Sequence, residues 1–326
     1  MKTRVVPMIK EPLSVVGFGC WGVSGGDIWN NTTDRASIEA IQRAVDLGVN
    51  LFDVAPVYGF GHAEEILGQA LEGRRESVLI ASKCGLVWDD QKRVSNDLSA
   101  QNVRREIDES LRRLNTDYID IYQMHWPDPA TPIEETMEAL YAIKDAGKIR
   151  YIGVSNFSVA LTKQAMEGGT VVSHQGLYNM LERNADSYHN IPLTYKTEQE
   201  ILPLCREYGL AFFPYTPLFQ GLLTGTFTRQ GNFDEHDIRM NNPKLSGEQF
   251  QTYFEMTEKV KGVARQIGKP LSQVAINWLL KHEAVTSVLC GAQTAQHVEE
   301  NVGSVEWELT DDMMAQIEDL LAPYHL

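Results

Sequence analysis

Apolar runs of strand length recur along the chain at 49–53, 78–83, 118–125, 149–154, 171–175, 210–215 and 286–290. Between them lie stretches whose apolar positions repeat at helical spacing. Ile38, Ile41 and Val45 form one stripe, with Asp34 placed to cap it and Gly48 to stop it. Val103, Ile107, Leu111 and Leu114 form another. Ile133, Met137 and Leu140 form a third, opened by Thr131-Pro132-Ile133-Glu134 in the form of a capping box with proline at N1. Further helices are predicted over 62–71, 158–166, 198–208, 247–267, 271–282, 294–301 and about 311–321. Two short β-rich pieces, 4–8 and 13–16, are broken by Pro7 and Pro12 and predict a hairpin ahead of the main fold.

The alternation reads as eight strand–helix units, one more than the seven clear apolar runs, with no break in composition and no low-complexity linker. Unbroken βα alternation demands a parallel sheet with helices packed outside it. Eight units favour a closed (β/α)8 barrel, one domain over 1–326, with a long Gly- and Asn-rich loop running from the 210–215 strand to about Pro243. One local pattern points elsewhere. Gly17, Gly19 and Gly22 spell G-x-G-x-x-G, which in a dinucleotide fingerprint opens a helix on its last glycine. Here Val23-Ser24-Gly25-Gly26 and Asn30-Asn31-Thr32-Thr33 follow, which reads as a loop and removes the Rossmann reading.

Composition narrows the function classes. With 29 Lys plus Arg against 44 Asp plus Glu, the formal charge is −15, which argues against nucleic acid or an anionic membrane as partner. No run of about 18 apolar residues is present, and the charged N-terminus lacks an apolar leader core. Cys20, Cys84, Cys205 and Cys290 show no C-x-x-C spacing, so buried free thiols in a reducing, cytoplasmic compartment are expected. The eight histidines are scattered, with no H-E-x-x-H, and no G-x-S-x-G nucleophile elbow occurs. No metal is expected. Nothing in the pattern sets the oligomeric state.

The chemistry gathers at strand ends. The run Val49-Asn50-Leu51-Phe52 ends on Asp53, with Tyr58 five residues on; the next strand ends on Lys83 and the one after on His125. Neighbouring strand ends of a barrel lie side by side, so these four converge in one cleft. A phenol has an ordinary pKa of about 10, and a nearby ammonium is expected to lower it. A carboxylate keeps a buried lysine charged, and an imidazole hydrogen-bonds an oxygen on which charge develops. The sum is a general acid suited to protonating a carbonyl oxygen.

In order and local context, Asp53, Tyr58, Lys83 and His125 resemble the catalytic tetrad of the aldo-keto reductase superfamily. The text D-V-A-P-V-Y-G-F-G-H-A-E-E-I-L-G from Asp53, L-N-T-D-Y-I-D-I-Y-Q-M-H ending at His125, G-K-I-R-Y-I-G-V-S-N-F over 147–157, Y-T-P-L-F-Q-G-L-L-T-G over 215–225 and the G-A-x-T-x-x-x-V-E-E-N pattern ending at Asn301 are similar to that family's hallmarks across essentially the whole chain. The bacterial branch of inositol-operon and general-stress oxidoreductases is the nearest in flavour. The resemblance implies a TIM barrel whose long loop after strand 7 covers the cofactor, and NAD(P)-dependent reduction of a small aldehyde, ketone or sugar-like carbonyl, or the reverse oxidation.

Residue by residue, the resemblance makes Tyr58 the proton donor, tuned by Lys83 and Asp53, with His125 orienting the carbonyl. It assigns Ser155, Asn156 and Gln175 to the nicotinamide carboxamide and Tyr215 to stacking on its ring. Thr216, Pro217, Leu218, Gly221, Leu223 and Gly225 belong to the loop over the pyrophosphate. Gly291, Gln293, Thr294, His297, Glu300 and Asn301 belong to the adenosine end. Trp21 falls on both cofactor and substrate sides, and Trp88 and Trp126 join Tyr58 and His125 as substrate walls; Trp29 lies in the first loop. Two departures stand out. Family members using NADP usually carry Lys or Arg just after the Gly-Ala pair, whereas Gln293–Asn301 here holds no fixed positive charge, so NADP(H) is the family habit and NAD(H) is open. Val54 stands where the family more often has Thr. The runner-up function is a cofactor-binding regulatory subunit of the channel β-subunit type with little turnover; a metal-dependent barrel hydrolase lacks its ligand cluster.

Overall fold

The computed structural model describes residues 1–25, 29, 32–230, 233 and 237–324. Gly26, Asn30 and Asn31 of the sequence-predicted first loop lie outside the described residues, as do 231–232 and 234–236 of the long loop.

Eight parallel strands form the frame: β1 (Val16–Gly19), β2 (Leu51–Asp53), β3 (Leu79–Cys84), β4 (Ile119–Met124), β5 (Ile149–Ser155), β6 (Ser173–Leu177), β7 (Ala211–Tyr215) and β8 (Val288–Gly291). They pair in the order β7-β6-β5-β4-β3-β2-β1-β8. A parallel bridge from Phe212 to Val285, with Thr286 N–H donating to Phe212 O at 2.9 Å, brings the two edges together into a nearly closed barrel. The barrel interior is filled by Leu51, Leu79, Ala81, Ile121, Ala211, Phe213 and Leu289. Ile9 and Leu13 of the N-terminal hairpin, Thr3–Val6 paired with Ile9–Ser14, plug its lower end.

The first barrel strand is a correction. The hairpin was expected to end at 13–16, but its second strand stops at Ser14 and the glycine-rich Val16–Gly19 is β1 itself. A strand with two glycines carries too little β-branched surface to announce itself. After it Cys20–Val23 is a 3-10 turn, so no helix opens on Gly22.

Helices cover the outside: α1 (Asp34–Asp46), α2 (His62–Ala70), α3 (Ala100–Leu114), α4 (Ile133–Asp145), α5 (Val159–Glu167), α6 (Leu202–Tyr208), α7 (Gly247–Ile267), α8 (Leu271–Leu280), α9 (Ala295–Gly303) and α10 (Asp311–Leu321). Thr33, not Asp34, caps α1 through a bond from Ala36 N–H, and Asp34 sits in the first turn where its charge meets the helix dipole. The expected box at Thr131 does not form: Pro132 is the N-cap residue, and the Thr131 hydroxyl donates to Asp128 at 2.7 Å. The helix expected over 198–208 divides into a π turn, Thr197–Ile201, and α6, in whose first turn Pro203 supplies no N–H donor. Two short antiparallel arms absent from the sequence reading are half-buried on one strand and exposed on the other, Leu86–Trp88 with Val94–Asn96 and Ser187–Tyr188 with Ile191–Pro192. Among the described residues no helix is long and apolar enough to cross a membrane.

Candidate active site

The four sequence-predicted residues meet at the carboxyl ends of adjacent strands. Asp53 closes β2, Lys83 lies one residue from the end of β3, and His125 follows β4 directly, its N–H donating to Cys84 O at 2.9 Å. Tyr58 comes back to them because the loop after Asp53 folds into a tight turn, with Tyr58 N–H on Ala55 O at 3.1 Å and Ala63 N–H on Tyr58 O at 3.2 Å. Gly59 permits that turn. Its φ is +64°, and a Cβ there would meet Ser24 O at 2.1 Å.

Lys83 is fully buried, and its ammonium spends three protons: on Asp53 Oδ1 at 2.8 Å, Val54 O at 3.0 Å and Tyr58 Oη at 3.2 Å. An ammonium has no lone pair. The Tyr58 oxygen therefore accepts from Lys83, and the phenol's own proton is left to point into the cleft. The bond to Val54 is made by its backbone carbonyl, so valine serves this contact as well as threonine would. Asp53 also accepts from Gln175 Nε2 at 2.7 Å.

The protonation states follow from burial. Burial, then the charge of Asp53, push the Tyr58 phenol well above its ordinary value. This corrects the expectation that Lys83 lowers it: the ammonium is paired with Asp53 at 2.8 Å, so what Tyr58 meets is a nearly neutral pair. Burial lowers Lys83 while Asp53 opposes the fall. Burial, aided by the Lys83 charge, pushes His125 well below its ordinary value, so its imidazole is neutral and keeps one N–H to donate. The His125 and Tyr58 rings meet edge to face at 5.9 Å.

Around this core lie the positions that resemblance assigns to a nicotinamide cofactor. Asn156 holds the left-handed conformation at φ +61° because its amide is fully spent. It donates to His125 O and Ser155 Oγ, both at 3.1 Å, and accepts from Tyr195 at 2.9 Å and Tyr215 at 2.8 Å. Asn156 thus orients Tyr215 and His125 and offers no free amide atom of its own. Ser155 Oγ donates to Gln175 Oε1 at 3.5 Å. Thr216, Pro217 and Leu218 lead into Phe219–Thr224, where Gln220 and Gly221 break the helical path at φ +52° and +98°. Leu223 is buried, and Gly225 O is held by Lys261 Nζ at 2.8 Å. At the other end, Thr294 caps α9 by accepting from His297 N–H at 3.2 Å. Gln293 N–H donates to His297 Nδ1 at 3.5 Å, Asn301 Nδ2 to Gly291 O at 3.2 Å, and Ser272 bonds the Glu300 carboxylate. Arg43 reaches this helix but is paired with Glu299 at 2.8 Å.

One observation fits a polar ligand along this surface. Thr216 Oγ1 and Gln293 Nε2 are buried and no protein group pairs with them. The tryptophans are half-buried at the mouth: Trp21 against Trp29 at 5.2 Å, Trp88 against Phe60 at 5.6 Å, and Trp126 just past His125. Sequence reasoning missed Tyr195, Tyr188 and Phe60. Tyr195 lies in a stretch with no periodicity, and only its aromatic character marked it. All four cysteines are free and buried. Among the described residues no group of three His, Cys, Asp or Glu is placed to hold a metal.

Known proteins resemble the chain over nearly its whole length. The chain is 36% identical over 313 residues to the NADH-specific methylglyoxal reductase of Escherichia coli, covering 92% of each. It is 35% identical over 311 residues to the aldo-keto reductase YhdN of Bacillus subtilis, covering 94% of this chain and 90% of that one. Among solved structures, a glycerol dehydrogenase from Gluconobacter oxydans superposes with a TM-score of 0.86 at 34% identity, covering 98% of this chain and 95% of that one. The sequence model of the Aldo/keto reductase family matches residues 15–322, and the chain belongs to that family.

Proposed function

We propose that this chain reduces the carbonyl of a small aldehyde, ketone or sugar-like compound, with Tyr58 giving the proton to the carbonyl oxygen. The observation that carries the reading is the unspent Tyr58 proton beside an ammonium whose three donors are all engaged. NADH or NADPH, when bound, supplies the hydride for the carbonyl carbon. The product alcohol gains that hydride and the Tyr58 proton; the phenolate left behind is stabilised by Lys83 and regains its proton from solvent. Neutral His125 donates its N–H to the same carbonyl oxygen, and the half-buried Trp21, Trp88 and Trp126 shield the reaction from water. In the reverse direction the phenolate is the base.

Ser155 and Gln175 are the groups that would face the nicotinamide carboxamide, with Tyr215 against the ring. Thr216 and the residues to Gly225 would lie over the pyrophosphate, with Gln293, Thr294 and the N-terminus of α9 at the adenosine end. With Arg43 spent on Glu299 and no fixed cation in 293–301, we place NADH ahead of NADPH. The four reduced thiols support a cytoplasmic setting, and the continuous βα order supports one domain over 1–326. The regulatory-subunit reading is the weaker, because the catalytic donor is complete and the two bacterial relatives above, at 36% and 35% identity, stand ahead of a probable voltage-gated potassium channel subunit beta of Oryza sativa at 32%. Nicotinamide absorbance, followed with NADH and NADPH against a panel of aldehydes, ketoses and hydroxyketones, tests the proposal. Turnover on the panel is expected; tight cofactor binding with no turnover on any member would overturn it in favour of the regulatory reading.

A further inference from the structure

Lys244, near the end of the long loop after β7, is 7% exposed and forms an ion pair with Glu182, 5% exposed, at 2.6 Å. Both residues lie in loops and are outside the catalytic machinery described above. The ammonium also donates to Ser187 O at 2.7 Å, the first residue of the Ser187–Tyr188 arm. Its backbone N–H donates to Asn242 Oδ1 at 3.0 Å; Asn242 Nδ2 donates to Gln220 Oε1 at 3.0 Å; and Gln220 Nε2 bonds His189 Nε2 at 2.8 Å. His189 returns the path to the arm, so the ring closes. From Glu182 a branch leaves it: Asn179 Nδ2 donates to Glu182 Oε2 at 2.9 Å and to Thr216 O at 3.1 Å.

The ring ties two surfaces of the cleft together. One is the Thr216–Gly225 segment; the other is the arm whose Tyr188 ring meets the Tyr215 ring edge-on at 5.2 Å. Four non-glycine residues here hold positive φ: His189 at +52°, Thr216 at +53°, Phe219 at +48° and Gln220 at +52°. Such conformations persist only where surrounding bonds over-determine them. A buried ion pair is weak evidence for stability, since apolar packing often replaces it without loss. What it adds here is position.

We propose that Lys244 is a positioning residue for cofactor binding: its ammonium, held by Glu182, fixes the Thr216–Gly225 segment and the Ser187–Tyr188 arm against each other in the geometry that receives the nicotinamide cofactor. The inference rests on the reading of Thr216–Gly225 and Tyr215 as cofactor contacts. Lys244 acts through them and touches neither cofactor nor substrate.

Titration of tryptophan fluorescence with NADH and NADPH, in the absence of substrate, tests it beside thermal denaturation. Lys244→Met raises the Kd of the better cofactor by about tenfold or more. The double variant Lys244→Met/Glu182→Leu buries no unpaired charge and regains most of the melting temperature lost by the single variant, yet keeps the weakened Kd. A folded single or double variant that binds the cofactor within about twofold of wild type overturns the inference. Absence of any NADH or NADPH binding by wild type would instead remove the underlying reading, a result distinct from tight wild-type binding that the variants leave unchanged.

Discussion

The two ends of the barrel each bury a carboxylate among cations, and they do opposite things with it. At the amino end Asp120, fully buried, accepts from Arg75 at 2.7 Å, from Ile80 N–H at 2.9 Å and from Arg150 at 2.8 Å. The same two guanidinium groups lie 4.1 and 4.2 Å from the centre of the Tyr118 ring. Both carboxylate oxygens are engaged, and the cluster has nothing to offer a ligand. At the carboxyl end Asp53 and Lys83 are as tightly paired, yet the pairing leaves the Tyr58 proton unspent and facing the cleft. Saturation at one end makes a structural fastening. One donor left over at the other makes an acid.

The contrast is broken most severely by Lys83→Met. Tyr58 loses the ammonium that stabilises its phenolate and Asp53 is left buried without its cation, so carbonyl reduction falls by about 10²–10⁴-fold. Steady-state kinetics check it. Asp120→Asn is the mirror experiment. It removes a charge that two arginines and a backbone N–H rely on, lowering stability by about 3 kcal/mol in urea unfolding while kcat per folded molecule stays unchanged.

Glu106 lies between the extremes. On α3, near the active end, it accepts from Gly85 N–H at 2.7 Å and Asn102 Nδ2 at 2.8 Å, and burial pushes its pKa up to about 8. Below the ordinary carboxylate pKa of about 4.3 folded and unfolded chains both hold the proton, so this group costs nothing. As pH rises toward about 8 only the unfolded chain ionises freely, and stability falls by about 1.4 kcal/mol per pH unit, on the order of 5 kcal/mol in all. Unfolding measured from pH 5 to 8 shows that slope, and Glu106→Gln flattens it. The smallest effect sharpens the cofactor end: Gln293→Arg supplies the missing cation at α9 and shifts the NADPH-to-NADH ratio of kcat/KM by about tenfold toward NADPH.

Much of this was legible in the sequence, for physical reasons that also mark where reading stopped. Asp53, Lys83 and His125 each end an apolar run, and a barrel brings such ends together, so their convergence followed from the pattern alone. β1 escaped because Val16–Gly19 spends two of its four positions on glycine. The protonation of Tyr58 escaped because its sign depends on how completely Asp53 cancels Lys83, a matter of one 2.8 Å contact. Asn179, Glu182, Tyr195 and Lys244 escaped because loops carry no period; their partners lie across the fold and only the folded chain pairs them.

Tyr58→Phe tests the central claim most directly. It removes one oxygen, leaves Lys83 its bonds to Asp53 and Val54, and vacates no carbon from the packing. With cofactor affinity measured alongside, the account predicts that carbonyl reduction drops by at least about 100-fold while cofactor Kd and melting temperature stay near wild type. Turnover within a few-fold of wild type would show that the proton comes from elsewhere, and would contradict the account.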